Sequence, residues 1–554
     1  MQTLFKKRKL IKKIIALSSA ALFIYFFILF GINQKINLYD EGLMAYGAIR
    51  VVNGGVPYAD FWTCYGPAQF YVLAFIFKYF GASLIVMRIC YQLIGCLLLA
   101  MIYVIVKKIS NRKLAIGALL ASAIILVASY RFTPFSMVQF SALLFSLLSC
   151  FFLLNFLSNK RKIWIILSGL SVAVTVLFRH DVGFYTFASQ LIVIFAVFFL
   201  DTPRSELPVP HIVFGNFKTL LFYLLSIIVI LFPVCVYFFC KVELKELVYD
   251  LIIYPTKIYP RMRALPYPSP LLFLMPIFYG NFSFGRCLNL FFIEAQCYFP
   301  LITCAAVFFV LLNQFRLRIK NKMQRIKWEG LLFALLGLFF FKYSSVRCDF
   351  THLLPMLFIS IIQFFFIVYE FRRNKIIASV FLIIFSILCY SILSTMGWYV
   401  IKDTFLRYRH MTFFDMKRAR GIPIDNRSTD YIDYQNAVNY IHNNTLGSEK
   451  IFVGNIRHDR TAINDVMFYF LSERDSATKY YDLHPGIVTE SEMQKKVISD
   501  IERQGVRFIV LWDIDVLEPN ESSKSSGVFL LDDFIKHKFK LLRSFGKYSI
   551  YSRQ

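Results

Sequence analysis

The chain has 554 residues, of which 58% are hydrophobic, 18% aromatic and only 17% charged. A soluble protein of this length would carry more charge, and apolar runs long enough to cross a bilayer recur along most of the sequence. The formal net charge is +27, but the positive residues form short clusters between apolar runs, a pattern typical of cytoplasmic loops and not of a nucleic-acid-binding surface. The composition therefore predicts a polytopic α-helical membrane protein and excludes a nucleic-acid partner.

The apolar runs predict about eleven membrane spans. With the basic N-terminus taken as cytoplasmic and as an uncleaved anchor, the clusters Lys107–Lys113, Arg316–Lys327 and Arg372–Lys375 all fall inside. The C-terminus then lies outside, which predicts a multi-pass protein of the plasma membrane. The predicted spans are Ile14–Ile32, Leu84–Val106, Leu114–Tyr130, Val138–Leu157, Ile163–Phe178, Val182–Leu200, Thr219–Cys240, Leu288–Leu312, Gly330–Phe341, Leu353–Tyr369 and Ile376–Val400. The shorter segment Ala68–Phe80 is predicted to lie at the outer interface.

A second domain is predicted where the apolar runs end. The composition indicates a membrane domain over residues 1–401 and an extracytoplasmic α/β domain over 402–554. Lys450–Asn455 and Arg507–Asp513 have the composition of buried strands, and Ser491–Gly505 has the pattern of an amphipathic helix with a Ser N-cap and a Gly stop. The last residues predict a hairpin.

Two adjacent carboxylates, Asp40 and Glu41, follow the first predicted span. Ionisable groups at the membrane boundary are costly and usually have a function. The alternative is that they are solvated loop acids or that they pair with Arg50 or Arg88.

Two further polar clusters fall at predicted outer turns. The first is "FRHDVG", with Arg179, His180 and Asp181, and the second is "VRCDFTHLLP", with Arg347, Asp349 and His352. Asp349 and His352 would share one face of a helical start. Acids and histidines suggest a metal site, but no HxxxH or HExxH spacing is present, so we predict no metal ligand set. For the first cluster the alternative is a snorkelling arginine with a local partner.

The long loop "YPTKIYPRMRALPYPSP" places Lys257, Arg261 and Arg263 among tyrosines and prolines. Guanidinium groups there could hold a lipid phosphate by paired hydrogen bonds, or could simply contact lipid headgroups. The "WDID" sequence at Trp512–Asp515 contains a DxD pattern, which can hold the metal and diphosphate of a nucleotide sugar. Because this domain is predicted outside, where nucleotide sugars are absent, we interpret these acids as the end of a strand.

The pattern "YDEG…AYGAIRVVNGGVPYADFW…YGPAQFY" resembles the first external loop of GT-C glycosyltransferases, in the branch of protein O-mannosyltransferases and lipid A aminoarabinose transferases. Members share an acid pair after the first span, then a G-x-x-P-Y-x-D pattern, here with Tyr58 and Asp60, and a proline-bearing segment. The two outer-turn motifs are also similar to those of prokaryotic members, and the layout of spans followed by an external domain covers nearly the whole chain.

The resemblance implies an enzyme that moves a sugar from a polyprenyl-phosphate donor to a hydroxyl of a glycan, lipid or protein acceptor at the outer face. It implies that Asp40 is the general base, supported by Glu41. It also implies that Arg261 or Arg263 holds the phosphate, with Arg179 or Arg347 as a further candidate. Tyr58, Asp60, His180, Asp181, Asp349 and His352 are expected to support the site. No cofactor is required, and a divalent cation is the alternative left open.

One departure concerns the donor. Aminoarabinose transferases carry a lysine and paired prolines where this chain has "TCYGP", so Cys64 and Tyr65 leave the sugar undefined. The alternatives to a transferase are a lipid-linked oligosaccharide flippase, an oligosaccharide polymerase or ligase, and a non-catalytic scaffold. The flippase would need charges within the spans, whereas here they concentrate at the outer turns.

Overall fold

The computed structural model describes residues 24–554 except 26, 131–136, 201–208, 280–281, 321–325, 410, 426–428, 461–462 and 515–516. Long apolar helices form a bundle, and an α/β domain packs on one end of it. The α-helices up to this domain are α1 (Asp40–Val52), α2 (Ala68–Phe80), α3 (Leu84–Ile109), α4 (Arg112–Ser129), α5 (Met137–Asn159), α6 (Lys162–Phe178), α7 (His180–Leu200), α8 (Val209–Lys241), α9 (Leu244–Val248), α10 (Tyr259–Met262), α11 (Met275–Phe278), α12 (Phe284–Ile319), α13 (Trp328–Val346), α14 (Phe350–Glu370), α15 (Lys375–Ile392) and α16 (Trp398–Arg409).

Within the described ranges, nine helices are long and apolar enough to cross a membrane. They are α3, α4, α5, α7, α8, α12, α13, α14 and α15 with its extension to Lys402, while α2 and α6 are apolar but shorter. The chain is thus a multi-pass membrane protein, and the predicted fold class is confirmed. Most of the first predicted span, Ile14–Ile32, lies outside the described residues.

Helix α14 is the centre of the bundle. Of its most apolar 18-residue window 89% is buried, against 11% for α8 and 17% for α15. It packs against α3, α4, α12 and α13. A helix that is apolar on every side is satisfied only when it is surrounded, so α14 is covered by other helices while α8 and α15 leave most of their surface for lipid.

The junctions between α6 and α7 and between α13 and α14 lie at the end of the bundle that carries the C-terminal domain. We call this end the domain face. The segment that joins α8 to α12 also lies there, and it contains a π-helix at Tyr249–Ile258 and a backbone bridge between Leu265 and Arg347. The basic residues Lys107, Lys108, Arg316 and Arg318 occupy the last turns of α3 and α12, at the opposite end.

The C-terminal domain is built on a five-stranded mixed sheet. Strand β3 (Lys450–Asn455) pairs in parallel with β4 (Asp475–Ser476) and β5 (Phe508–Trp512). Strand β7 (Tyr548–Arg553) pairs antiparallel with β5 and β6 (Phe539–Phe545), which gives the order β4-β3-β5-β7-β6. The predicted strands and terminal hairpin are present. The remaining elements are β1 (Met411–Phe413), β2 (Pro423–Asp425), α17 (Thr429–Asn444), α18 (Met467–Ser472), α19 (Ser491–Arg503) and α20 (Leu530–Lys538).

One detail of α19 differs from the sequence prediction. The N-cap is Glu490, without a side-chain cap hydrogen bond, and Ser491 is the first helical residue. The predicted glycine stop is present, because Gly505 follows the C-cap with φ 59°. A positive φ is the conformation that glycine adopts without a steric penalty.

The first loop and the C-terminal domain share backbone hydrogen bonds. The amide of Met467 donates to the carbonyl of Leu38, and the amide of Trp62 donates to that of Lys479, both at 2.9 Å. A Cβ at Gly42 would lie 2.4 Å from the amide nitrogen of Met467, so only glycine permits this approach. The domain therefore completes the surroundings of α1.

Candidate active site at the domain face

Asp40 and Glu41 begin α1 but differ in their surroundings. Glu41 is fully buried and accepts hydrogen bonds from Arg88 Nε and Nη2, at 2.7 and 2.9 Å. Arg88 is itself fully buried and donates through Nη1 to the carbonyls of Ile32 and Gln34. Glu41 thus joins α1 to α3, which corresponds to the ion-pair alternative considered for the acid pair.

Asp40 is partly exposed and is not part of the ion pair between Glu41 and Arg88. Its Oδ2 accepts from Asn37 Nδ2 at 3.0 Å, and Asn37 Oδ1 in turn accepts from the Asp40 amide at 2.8 Å. Burial raises the pKa of the Asp40 carboxyl, and the nearby charges of Arg263 and His352 oppose that rise. The positions of Arg263 and His352 show that the first loop, the long loop and the start of α14 meet around Asp40.

The turn from α6 to α7 holds the first predicted cluster. Arg179 donates to the two carboxylate oxygens of Asp181 at 3.0 and 2.5 Å, and to the Tyr343 hydroxyl at 3.2 Å. Its guanidinium also lies 4.8 Å from the centre of the Tyr343 ring. His180 is partly buried as the first residue of α7.

Gly66 brings the first loop onto this turn. A Cβ at this position would lie 2.3 Å from the carbonyl oxygen of Leu177, so the loop backbone reaches the end of α6 only because residue 66 is glycine. The neighbouring Tyr65 lies within electrostatic reach of both Asp40 and Arg179. The loop thus brings the Arg179 turn close to the Asp40 site.

The turn from α13 to α14 repeats the pattern. Arg347 Nε donates to Asp349 Oδ2 at 2.7 Å, and Asp349 caps α14 by accepting from the His352 amide at 2.9 Å. Asp349 Oδ1 also lies 2.7 Å from His352 Nδ1. Although burial alone would raise it, the hydrogen bonds and charge of His352 hold the pKa of Asp349 well below its usual range.

Arg347 also has a partner from the C-terminal domain. Its two terminal nitrogens each lie 2.8 Å from an oxygen of Glu518, and Arg263 Nη2 lies 3.2 Å from Glu518 Oε1. Although burial alone would raise it, the bonds from Arg347 and the charge of Arg263 hold the pKa of Glu518 at about 2. A carboxylate of the C-terminal domain therefore lies on two of the predicted phosphate-binding arginines.

The other predicted residues have local roles or lie to one side. Tyr58 is buried at φ 71° and donates to the carbonyl of Tyr65 at 2.7 Å, so it shapes the first loop. Asp60 is exposed and accepts from the Val56 amide at 2.7 Å. Arg261 is exposed on α10, whereas Arg263, two residues later, faces the site.

Tyrosines around His352 were not predicted. The Tyr259 hydroxyl lies 3.2 Å from His352 Nε2, and the Tyr343 ring stacks on His352 with centroids 5.3 Å apart. Tyr259 belongs to the loop that the sequence indicated, but no pattern there distinguished it from its neighbours. Glu518 had no signal either, since it follows a strand in a domain remote in sequence.

No group of three or more His, Cys, Asp or Glu side chains that could hold a metal ion occurs among the described residues. Asp513 of the DxD pattern is exposed and donates through its amide to the carbonyl of Lys547. Asp515 lies outside the described residues.

Comparison with known proteins shows which folds this architecture is similar to. Residues 65–237 match the family model described as dolichyl-phosphate-mannose-protein mannosyltransferase, and no curated protein matches the chain. ArnT from Cupriavidus metallidurans, bound to undecaprenyl phosphate, has 11% sequence identity and a TM-score of 0.52, with 98% of each chain covered. The apo form of ArnT has 10% sequence identity, a TM-score of 0.52 and the same coverage. The Archaeoglobus fulgidus oligosaccharyltransferase is more distant, with 10% identity, a TM-score of 0.48 and coverage of 88% of this chain and 67% of that chain.

The structural likeness to ArnT extends over nearly the whole of both chains, and the family match covers the segment from the first loop to α8. The chain has the fold of ArnT, and the resemblance to GT-C membrane glycosyltransferases of the mannosyltransferase and ArnT branch, drawn from its sequence, is confirmed.

Proposed function

We propose that this protein is a glycosyltransferase that moves a sugar, a hexose or a pentose, from a polyprenyl-phosphate donor to an acceptor hydroxyl. Asp40 carries the proposal, since it is a partly exposed carboxylate within reach of Arg263 and His352 at the edge of a membrane bundle. The undecaprenyl phosphate bound to ArnT and the dolichyl-phosphate-mannose named in the family description support a lipid-linked donor.

In the proposed reaction the Asp40 carboxylate accepts the proton of the acceptor hydroxyl. The hydroxyl oxygen forms a bond to the anomeric carbon, and the bond from that carbon to the phosphate oxygen breaks with its electron pair going to the phosphate. A raised pKa makes Asp40 a stronger base than an ordinary aspartate once it is deprotonated. A phosphate is a good leaving group, so a strong general acid is not required.

Positive groups are placed for the departing phosphate. Arg263 is the cation closest to this role because it is near Asp40 and its side chain is only 12% exposed. Arg347 lies beside it, bridged by its bond to the Arg263 carbonyl at 2.9 Å. Fixed guanidinium groups stabilise developing negative charge without reorganising in the reaction. Glu41 would contribute by fixing α1 through Arg88.

We further propose that the domain face is extracytoplasmic and the N-terminus cytoplasmic. The basic last turns of α3 and α12, at the opposite end of the bundle, support this orientation in a plasma membrane. The donor would then be used from the outer leaflet, and the acceptor would be a glycan, lipid or protein of the envelope.

The test is reconstitution of wild type and Asp40→Asn in liposomes with a panel of polyprenyl-phosphate sugars and a crude envelope acceptor. We expect wild type to release free polyprenyl phosphate and transfer sugar with one donor, and Asp40→Asn to lose both activities. Glu521→Gln, an exposed carboxylate on the C-terminal domain, is the control and should behave as wild type. Labelled lipid crossing the bilayer equally in wild type and Asp40→Asn, without sugar release, would instead identify a flippase.

A further inference from the structure

Glu518 occupies the position at Arg263 and Arg347 where the proposed reaction requires the donor phosphate. Its two oxygens face the terminal nitrogens of Arg347 at 2.8 Å each, and Arg263 reaches Oε1 at 3.2 Å. A phosphate group binds arginine in the same two-pronged geometry. The carboxylate therefore occupies the two-pronged position that a phosphate would take between the two arginines.

We propose that Glu518 is a specificity-determining residue whose carboxylate holds Arg263 and Arg347 in place of the donor phosphate until a phosphate group displaces it. This inference rests on the proposed function, because it names the residue against which the lipid donor competes. Arg263 connects the two events, since the same side chain contacts Glu518 and lies within electrostatic reach of Asp40.

Charge explains the selectivity. Arg263, Arg347, Asp349 and Glu518 together carry two positive and two negative charges, so the group is neutral while Glu518 is in place. Its pKa of about 2 keeps Glu518 ionised near neutral pH. When Glu518 leaves, Arg263 and Arg347 lose one of the carboxylates that neutralise them. A phosphate can replace Glu518 because it has more charge and more acceptor oxygens than a carboxylate. An uncharged polyprenol cannot, because it carries no negative charge to pair with the arginines.

The segment that carries Glu518 is attached by local contacts. The Glu518 amide donates to Ser523 Oγ at 2.6 Å, and Asn520 Nδ2 donates to Glu518 Oε2 at 2.8 Å. Leu517 on one side and Lys524 on the other are exposed. Ser522 within the turn is buried and the Ser526 amide donates to the carbonyl of Asp459, so the turn is anchored behind Glu518. A short surface turn anchored on one side can shift locally without unpacking a core. Glu518 can therefore leave the arginines while the sheet stays intact.

The experiment measures binding of undecaprenyl phosphate, undecaprenol and inorganic phosphate to purified full-length wild type, Glu518→Gln and Glu521→Gln in detergent. Glu518→Gln removes the competing charge and keeps the side-chain shape, so undecaprenyl phosphate should bind about tenfold more tightly, in keeping with the strength of hydrogen bonds between charged groups. Undecaprenol binding should not change. Glu521→Gln lies on the same turn, where Glu521 pairs with exposed Lys524, and should match wild type.

A second measurement uses wild type alone, so it is decisive even if Glu518→Gln folds poorly. Hydrogen exchange of the peptide spanning residues 517–524 should speed up on addition of undecaprenyl phosphate and not of undecaprenol. If wild type binds undecaprenyl phosphate while this peptide exchanges no faster, or while folded Glu518→Gln binds no more tightly, Glu518 is a fixed clamp and the inference falls while the proposed function stands.

Three other outcomes lead to different conclusions. If neither protein prefers undecaprenyl phosphate to undecaprenol, the proposed function and the inference fall together. If Glu518→Gln gains equally for inorganic phosphate, displacement is supported, and the arginines take a phosphate irrespective of its lipid. An equal gain for undecaprenol would overturn the inference, because the effect would not depend on phosphate charge.

Discussion

The two carboxylates that begin α1 lie side by side in the chain but in two different regions of the molecule. Glu41 lies in the packed region between α1 and α3, fully buried against Arg88 at 2.7 Å. Asp40 lies in the partly open region shared by the long loop and α14, where its carboxylate accepts a hydrogen bond from Asn37 and burial raises its pKa. Consecutive helical residues point about 100° apart, so one acid supports structure and the other is available for chemistry.

The largest effect on activity is expected at Asp40, where a substitution should remove catalysis without reducing stability. Asp40→Asn should lower sugar transfer by about 10²–10⁴-fold, the range that a general base contributes, while thermal unfolding stays at or slightly above the wild-type temperature. Asparagine carries no charge to desolvate, so the fold does not suffer. The measurement is transfer rate beside an unfolding curve in the same detergent. Coincident loss of activity and stability would show that Asp40 is structural like its neighbour.

Glu41→Gln should do the reverse and destabilise the protein by about 3–5 kcal/mol, because it leaves the Arg88 charge buried without a counter-charge. Thermal or denaturant unfolding measures this loss, with Glu521→Gln as the unaffected control. Combining Glu41→Leu with Arg88→Met should recover part of the stability, since apolar replacements often tolerate the site of a buried ion pair. An unfolding curve of Glu41→Gln that overlays wild type would contradict the structural role.

The two Arg-x-Asp turns allow a smaller test of the same contrast. Arg347→Gln should reduce stability by about 1–3 kcal/mol and more than Arg179→Gln does. Arg347 binds Asp349 and also Glu518 of the C-terminal domain, whereas Arg179 binds Asp181 and the neutral Tyr343 hydroxyl. Unfolding curves of both variants give the comparison. A larger loss for Arg179→Gln would mean that the contact with Glu518 does not stabilise the domain junction.

Changing the pH should have the smallest effect on activity and stability. Transfer should rise with pH through the raised pKa of Asp40, by about tenfold per unit below it, because only the carboxylate accepts a proton. For stability the sign is opposite. The raised pKa adds stability below the unfolded value of about 3.9, and this is lost as pH rises through the folded pKa. The measurement is the transfer rate and the unfolding temperature across pH for wild type and Asp40→Asn. The difference between the two proteins should show both slopes. If it shows neither, another residue is the base.

The membrane architecture was predictable because the lengths of apolar runs report directly on the bilayer. The strands of the C-terminal domain were predictable for a similar reason, since "KIFVGN" and "RFIVLWD" are short apolar runs ended by polar residues. Asp349 as the first-turn partner of His352 followed from helical spacing. These features depend on neighbours within a few residues.

The partners of the site residues could be predicted only in part, because Arg88 was one of two alternatives for the acid pair and Glu518 was not identified. Arg88 lies 47 residues from Glu41, and Glu518 lies 171 residues from Arg347. Neither separation has a periodicity that could reveal it. The Ser491 cap was predicted wrongly because serine is favourable both as an N-cap and in the first turn, and the sequence does not distinguish adjacent positions.

The hydrogen bond from the Ser476 amide to the Tyr46 hydroxyl joins groups 430 residues apart. In a growing chain, α1 emerges long before the strand that completes its surroundings has been made. At about 5–20 residues per second of synthesis, the interval is roughly 20–90 s. During that time Tyr46 cannot form its hydrogen bond with the Ser476 amide. A stop codon between the last membrane helix and the five-stranded sheet would thus leave the described membrane helices made and the surroundings of α1 unfinished.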